Sequence, residues 1–148
     1  MSKDLDRVRE FVVDLHQFFT DWISGKLPKD ETIFKKRLLD RVDQNLQLRM
    51  PGGAGFEHSG LTQMMYSLQG RNPGFAIKIR DVAIRHHIGE VFVVTYEEWQ
   101  RGAMDSGRSN NARYSTVVLR EKGDSFSVLH VHETWFEDDK MAAGDYNF

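Results

Sequence analysis

Apolar residues recur along the first two dozen positions at helical spacing. Phe11, Leu15, Phe18, Trp22 and Ile23 fall on one stripe of a 3.6-residue period, which predicts a helix over about 3–24 closed by Gly25. After the Leu27-Pro28-Lys29 turn, Asp30 is placed to cap a second helix that turns Ile33, Phe34, Leu38 and Leu39 inward. Positions 45–50 alternate between polar and apolar, the mark of a short strand, and Pro51-Gly52-Gly53-Ala54-Gly55 stops it. A third helix is expected over roughly 57–70, with Leu61, Met64, Met65 and Leu68 on one side.

In the second half the period changes. Alternating runs at 75–86, 90–101, 111–121 and 125–136, most of them joined by short Gly-containing turns, predict an antiparallel meander. Within the first run Phe75, Ile77 and Ile79 share one parity, whereas Val82 and Ile84 have the other. Side chains alternate strictly in an unbroken strand, so an extra residue, a β-bulge, is expected near Arg80-Asp81. Such bulges curl a sheet around a hollow. The expected class is therefore α+β: three N-terminal helices packed on a curved, mostly antiparallel sheet whose concave face can hold a ligand. Residues 1–136 are expected to form the domain, 137–148 a tail that frays or docks locally, and 102–110 the most mobile loop.

Composition narrows the function classes. At 148 residues the chain is long enough for one domain with a core and a pocket. A formal charge of −2 and a pI near 6.3 give no basic face for nucleic acid or anionic membrane. With no cysteine there is no disulfide, thiolate nucleophile or zinc–thiolate site. The opening Met-Ser-Lys-Asp-Leu-Asp lacks the apolar core of a secretion signal and no run is long enough to span a bilayer, so a cytoplasmic protein is expected.

Two helices, a short strand, a Pro-Gly-Gly turn, a third helix and a four-stranded meander resemble the NTF2-like, or cystatin-like, superfamily over nearly the whole chain. Leu68-Gln69-Gly70-Arg71-Asn72, the spacing from there to Gly89-Glu90, and the closing Ser127-Val128-Leu129-His130-Val131-His132-Glu133-Thr134 look like the association domain of calcium/calmodulin-dependent protein kinase II and its stand-alone bacterial relatives, the DUF4440 group. The resemblance implies a cone with a pocket between helices and sheet, and assembly through the outer sheet face. It also implies a pocket lined by arginines. Arg71 stands where one of these does, but Val117 and Glu133 replace two others, which implies a neutral or cationic ligand.

In the last run, Leu129, Val131, Glu133 and Trp135 form the more apolar parity set and are expected to face the helices, with Val128, His130, His132 and Thr134 outward. The matching set on the neighbouring strand is Arg113, Ser115, Val117 and Leu119. Glu133 is then a carboxylate on an apolar concave face, where desolvation raises its pKa unless Arg113 or Arg71 pairs with it. It reads equally as a structural ion pair. Of Glu97 and Glu98 only one can line the cavity, and the two parity sets of that strand are equally apolar.

Tyr66, Arg71, Tyr96, Glu97, Trp99, Arg113 and Glu133 are the expected pocket lining. Superfamily enzymes such as ketosteroid isomerase pair a carboxylate base with a hydroxyl, an arrangement Glu133 could imitate with Tyr66 or Tyr96. His130 and His132 could chelate a metal if His86 came near, yet no further ligand motif supports this, and outward packing is the better reading. The Pro-Gly-Gly turn lacks the Lys-Ser or Lys-Thr of a phosphate loop.

Tyr114, Thr116, His130 and His132 share an outer face with Val118 and Val128, a mixture apolar enough to expect a homodimer or larger assembly there. The expected function is small-molecule binding by a self-associating domain, without cofactor or clear sign of catalysis. The alternatives are an isomerase or hydratase using Glu133 as general base, or a pure oligomerisation module.

Overall fold

The computed structural model describes residues 2–148, the side chains of Ser2 and Asp105 excepted. Helix α1 (Ser2–Ser24) lays Val8, Phe11, Val12, Leu15, Phe18 and Trp22 into the core along the expected stripe. Asp30 caps α2 (Glu31–Arg37), its carboxylate accepting from the amides of Thr32 at 2.8 Å and Ile33 at 3.0 Å. A 3-10 turn (Leu39–Arg41) leads into β1 (Val42–Arg49), followed by a short β2 (Gly55–Glu57) and α3 (His58–Ser67). Strands β3 (Ala76–Ile88), β4 (Val91–Arg101), β5 (Asn111–Lys122) and β6 (Ser125–Trp135) form the meander, and α4 (Asp138–Ala142) follows.

The six strands lie in the order β2-β1-β6-β5-β4-β3, antiparallel throughout except for β1 beside β6. The expected trio of N-terminal helices is corrected. One long helix is followed by a seven-residue α2, and α3 comes only after two strands. The chain leaves helical geometry at Leu38, where φ is −121°, and the Val42–Arg49 segment gains more by pairing with β6 than by prolonging a short helix.

The β3 bulge lies where the parity slip places it. The register with β4 shifts between Arg80 and Ala83, and Asp81 has a φ of 61°. A further irregularity, in β6, has a consequence for the site. Val118 pairs with His130 but Leu119 pairs with Val128, leaving Leu129 as the extra residue. Val128 is thereby turned inward, 4 % exposed and against the main core, which corrects its assignment to the outer face. Beyond the bulge Val131 and Glu133 face the helices.

Residues 137–148 dock rather than fray. Met141 and Phe136 pack with Trp99 and Ala112 in a second small core on the outer sheet face, joined by Tyr146 and Phe148. Gly144 rests directly on the Trp99 indole, where a Cβ would lie 2.0 Å from the ring. Arg80 holds the Asp145 carbonyl at 3.0 Å, and Arg101 donates to the carbonyls of Tyr146 and Phe148.

Candidate functional site

Between α1, α3 and the concave sheet lies a cavity of about 400 Å³. The strand registers order its sheet wall into rungs: Gln100 with Asn111, Glu98 with Arg113, Tyr96 with Ser115 and Glu133, Val94 with Val117 and Val131, and Phe92 with Leu119 and Val128. The first three rungs are polar and the last two apolar. Exposed lining residues Arg71, Met104 and Ser106 mark the open end, next to the Gln100 rung. Phe11, Leu38, Val42 and Leu46 line it at the apolar end.

Helix α1 aims His16 at the polar rungs. Its Nε2 lies 3.1 Å from Glu98 Oε1 and its Nδ1 2.7 Å from the Val12 carbonyl. Burial by itself lowers the imidazole pKa, but the Glu98 charge and the hydrogen bonds to Glu98 and Val12 outweigh it, and the net shift is upward. For Glu98, burial pushes upward and is overcome by the charge and hydrogen bond of His16, by Arg113 and by Gln100, so the carboxylate sits well below its ordinary value.

Glu133 goes the other way. Burial, then the negative charge of Glu98, raise it to about 7 against the pull of Arg113 and His16. Its Oε1 lies 3.3 Å from Arg113 Nη1 and its Oε2 3.3 Å from Ser115 Oγ. Two carboxylates of one site are thus driven apart, one held ionised and one poised near neutrality. The network continues from Glu98 through Gln100 Nε2 at 2.6 Å, from Gln100 Oε1 to Asn111 Nδ2 at 3.2 Å, and from Asn111 Oδ1 to Arg113 Nη2 at 3.1 Å. The Tyr96 oxygen lies 3.5 Å from His16 Nε2, and its hydroxyl is kept protonated by burial and by both carboxylates.

Of the seven residues expected to line the pocket, Arg71, Tyr96, Arg113 and Glu133 do so. Glu97 and Trp99 are on the opposite face, where the indole Nε1 donates to Glu97 Oε1 at 2.9 Å beneath the docked C-terminal segment. It is Glu98 that faces inward, because the Tyr96 parity set packs against α1. Tyr66 lies outside the cavity lining: its ring packs on Phe34 and Trp22 at 5.0 and 5.9 Å, with the Lys29 ammonium 4.8 Å from its centroid.

His16, Gln100 and Asn111 were not among the expected residues. The signal for His16 was one polar residue amid the apolar positions of α1. Tyr114, Thr116, His130 and His132 lie on the outer face, and the Tyr114 ring stacks on Phe136 with centroids 4.0 Å apart. Among the described residues no group of three His, Cys, Asp or Glu is arranged to hold a metal. No described helix is long and apolar enough to cross a membrane.

The sequence matches no protein-family model and no curated protein. Among solved structures the cone is that of NTF2-like, or cystatin-like, proteins. An NTF2-like protein of unknown function from Pseudomonas aeruginosa is similar with a TM-score of 0.78 and 22% identity, covering 88% of this chain and 99% of that one. A proposed dehydratase of the NTF2-like family from Streptomyces avermitilis has a TM-score of 0.68 at 12% identity, covering 93% and 99%. A proposed aromatic ring hydroxylase from Novosphingobium aromaticivorans has 0.66 at 9% identity, covering 93% and 92%. At these identities the likeness defines the fold.

Proposed function

We propose that this protein binds a small, largely apolar molecule inside the cone and orients it by hydrogen bonds from the polar rungs. The observation that carries this reading is the 400 Å³ hollow itself, with walls mostly of Leu, Met, Phe and Val and a small set of convergent polar groups. Fluorescence titration with 2-naphthol, an aromatic bearing one hydroxyl, tests it. Saturable binding that is lost when Val117→Trp fills the hollow supports the reading, with Leu15→Trp as the substitute if the first variant folds poorly. No saturable binding to the folded wild type refutes it.

A second reading, turnover of the dehydratase or isomerase type, is favoured by one observation: Glu133 is held near pH 7 beside a neutral phenol. Its ionised carboxylate takes a proton from carbon next to a carbonyl, and the Tyr96 hydroxyl donates to the oxygen on which charge develops. The Streptomyces neighbour is consistent with such chemistry. Activity abolished in Glu133→Gln, with 2-naphthol still bound, supports turnover; activity surviving that change removes Glu133 as the base.

Self-association through the outer face, with Tyr114, Thr116, His130 and His132 in the contact, is part of the proposal, as is kinship with the kinase association-domain group. The described outer face keeps these side chains half or fully open beside the docked α4. Sedimentation at micromolar concentration tests it: a dimer or larger assembly is expected, and a monomer overturns it. A monodisperse assembly that binds no small molecule would favour the pure oligomerisation module.

A further inference from the structure

The polar rungs lie part-way down the hollow and form a belt. Successive residues on one face of a strand are about 7 Å apart, and two apolar rungs, Val117 with Val131 and Leu119 with Val128, lie beyond the Tyr96–Glu133 level. On the other side of the belt the open end is edged by Met50, Leu61, Met64 and Met104. A molecule filling this space meets only hydrocarbon at the deep end, the belt's buried hydrogen-bonding groups in the middle, and at the opening these apolar side chains together with the solvent-facing Arg71 and Ser106.

We infer that the ligand carries its polar group in the interior of an apolar skeleton, and that this group is an uncharged ketone or alcohol. The inference rests on the small-molecule reading above and names the chemical class it takes. With Glu133 ionised, as at pH 8, the belt is internally balanced: Glu98 and Glu133 stand against His16 and Arg113, each already engaged with an opposite partner. A further buried charge would have no counter-ion. What the belt leaves open are the hydroxyl hydrogen of Tyr96, whose neighbour His16 Nε2 is itself a donor, and spare lone pairs on the carboxylates. A carbonyl oxygen accepts from the Tyr96 hydroxyl, and a ligand hydroxyl both accepts there and donates to a carboxylate.

The interior position follows from the depth of the belt. A head group at the end of a chain has two placements. At the belt, it leaves either the deep pocket or the methionine-edged opening unfilled. At the opening beside Arg71, it draws its methylenes across Tyr96, Glu98 and Glu133, displacing water there without returning hydrogen bonds. A mid-chain oxygen meets neither cost.

Three probes of equal carbon number separate these cases: nonan-5-one, nonan-2-one and nonanoate, each titrated at pH 8 by displacement of 2-naphthol. Nonan-5-one is expected to bind at least about tenfold more tightly than either of the others, a difference of about 1.4 kcal/mol. Equal or tighter binding of nonan-2-one overturns the interior position, and a preference for nonanoate overturns the uncharged group. If 2-naphthol binds and the three probes do not discriminate, the inference fails alone. If neither 2-naphthol nor any probe binds, the small-molecule reading fails with it.

Discussion

His16 and Glu98 form a buried ion pair in which the imidazole has no nitrogen left to accept. Nε2 faces the Glu98 carboxylate at 3.1 Å and Nδ1 faces the Val12 carbonyl at 2.7 Å, so both ring nitrogens donate and the ring is an imidazolium. This agrees with an upward-shifted histidine and a downward-shifted glutamate, each the main opponent of the other's burial.

Replacing Glu98 by Gln takes away the carboxylate that the buried imidazolium faces and leaves only the charge of Glu133 to oppose its burial. A loss of about 3–5 kcal/mol in unfolding free energy is expected, the usual cost of removing one member of a buried pair. His16 is expected to lose its upward shift in the same variant, read by ¹⁵N or ¹H NMR titration of the ring. In the wild type, the raised His16 value means its contribution is complete below the ordinary 6.5 and is lost as pH rises through the folded value. The lowered Glu98 value means its contribution is complete above 4.5 and is lost as pH falls through the folded value. A wild-type-like stability of Glu98→Gln would remove the pair from the account.

Glu133 has the opposite linkage. Its folded value of about 7 lies above the ordinary 4.5, so the folded state binds the extra proton and stability falls as pH rises from 4.5 to 7. The size of this contribution is about 3 kcal/mol across that window, from about 1.36 kcal/mol per pKa unit. In Glu133→Gln, which is nearly isosteric with the protonated acid, the fall in melting temperature between pH 4.5 and 7 is expected to flatten, seen by scanning calorimetry across that range. An unchanged slope would assign it to other groups.

Trp22 couples the two helices that roof the cavity. Its indole donates to the Met65 carbonyl at 2.9 Å, while its own carbonyl accepts from Gly70 at 2.9 Å, beside Arg71 and Asn72 at the opening. Trp22→Phe keeps most of the apolar volume but removes one of the two donors to the Met65 carbonyl, which the Leu68 amide still serves at 3.1 Å, so a loss of about 0.5–1.5 kcal/mol, that of one net hydrogen bond, is expected. Hydrogen exchange is expected to quicken in α3 more than in β4 or β5. Uniform quickening across the sheet would argue against a local coupling.

Gly144 tests the docking of the C-terminal segment. Gly144→Ala places a methyl against the Trp99 ring, where no space exists, and is expected to release residues after Phe136 from the outer face. Limited proteolysis should then cut near α4 while the cone stays intact and 2-naphthol binding persists, since Trp99 points away from the cavity. A variant as resistant as wild type would show that the segment docks differently.

The fold was legible wherever periodicity carried it: the α1 stripe, the Asp30 cap, the four meander strands and the bulge at Asp81. The β6 bulge at Leu129 was not, because Leu129 and Val128 are both apolar and a slip between two apolar residues leaves no mark in the alternation. Glu98 and Glu97 could not be ranked for a similar reason, since both faces of β4 are buried, one against α1 and the other beneath the C-terminal segment. Trp99 shows what that second layer hides. The outer core depends on residues some forty positions downstream, whose weak pattern gives no hint that they fold back. Glu133 and Arg113 were readable because a charged pair at matching parity on neighbouring strands stands out among apolar residues.

Carboxyl-detected ¹³C NMR titration of glutamate-labelled protein tests the central claim most directly, namely that one hollow holds two acids driven to opposite extremes. One resonance, absent in Glu133→Gln, should titrate near pH 7; another, absent in Glu98→Gln, should stay ionised well below 4.5; and both should shift when 2-naphthol is added. Both acids titrating near 4.5, indifferent to the naphthol, would contradict it.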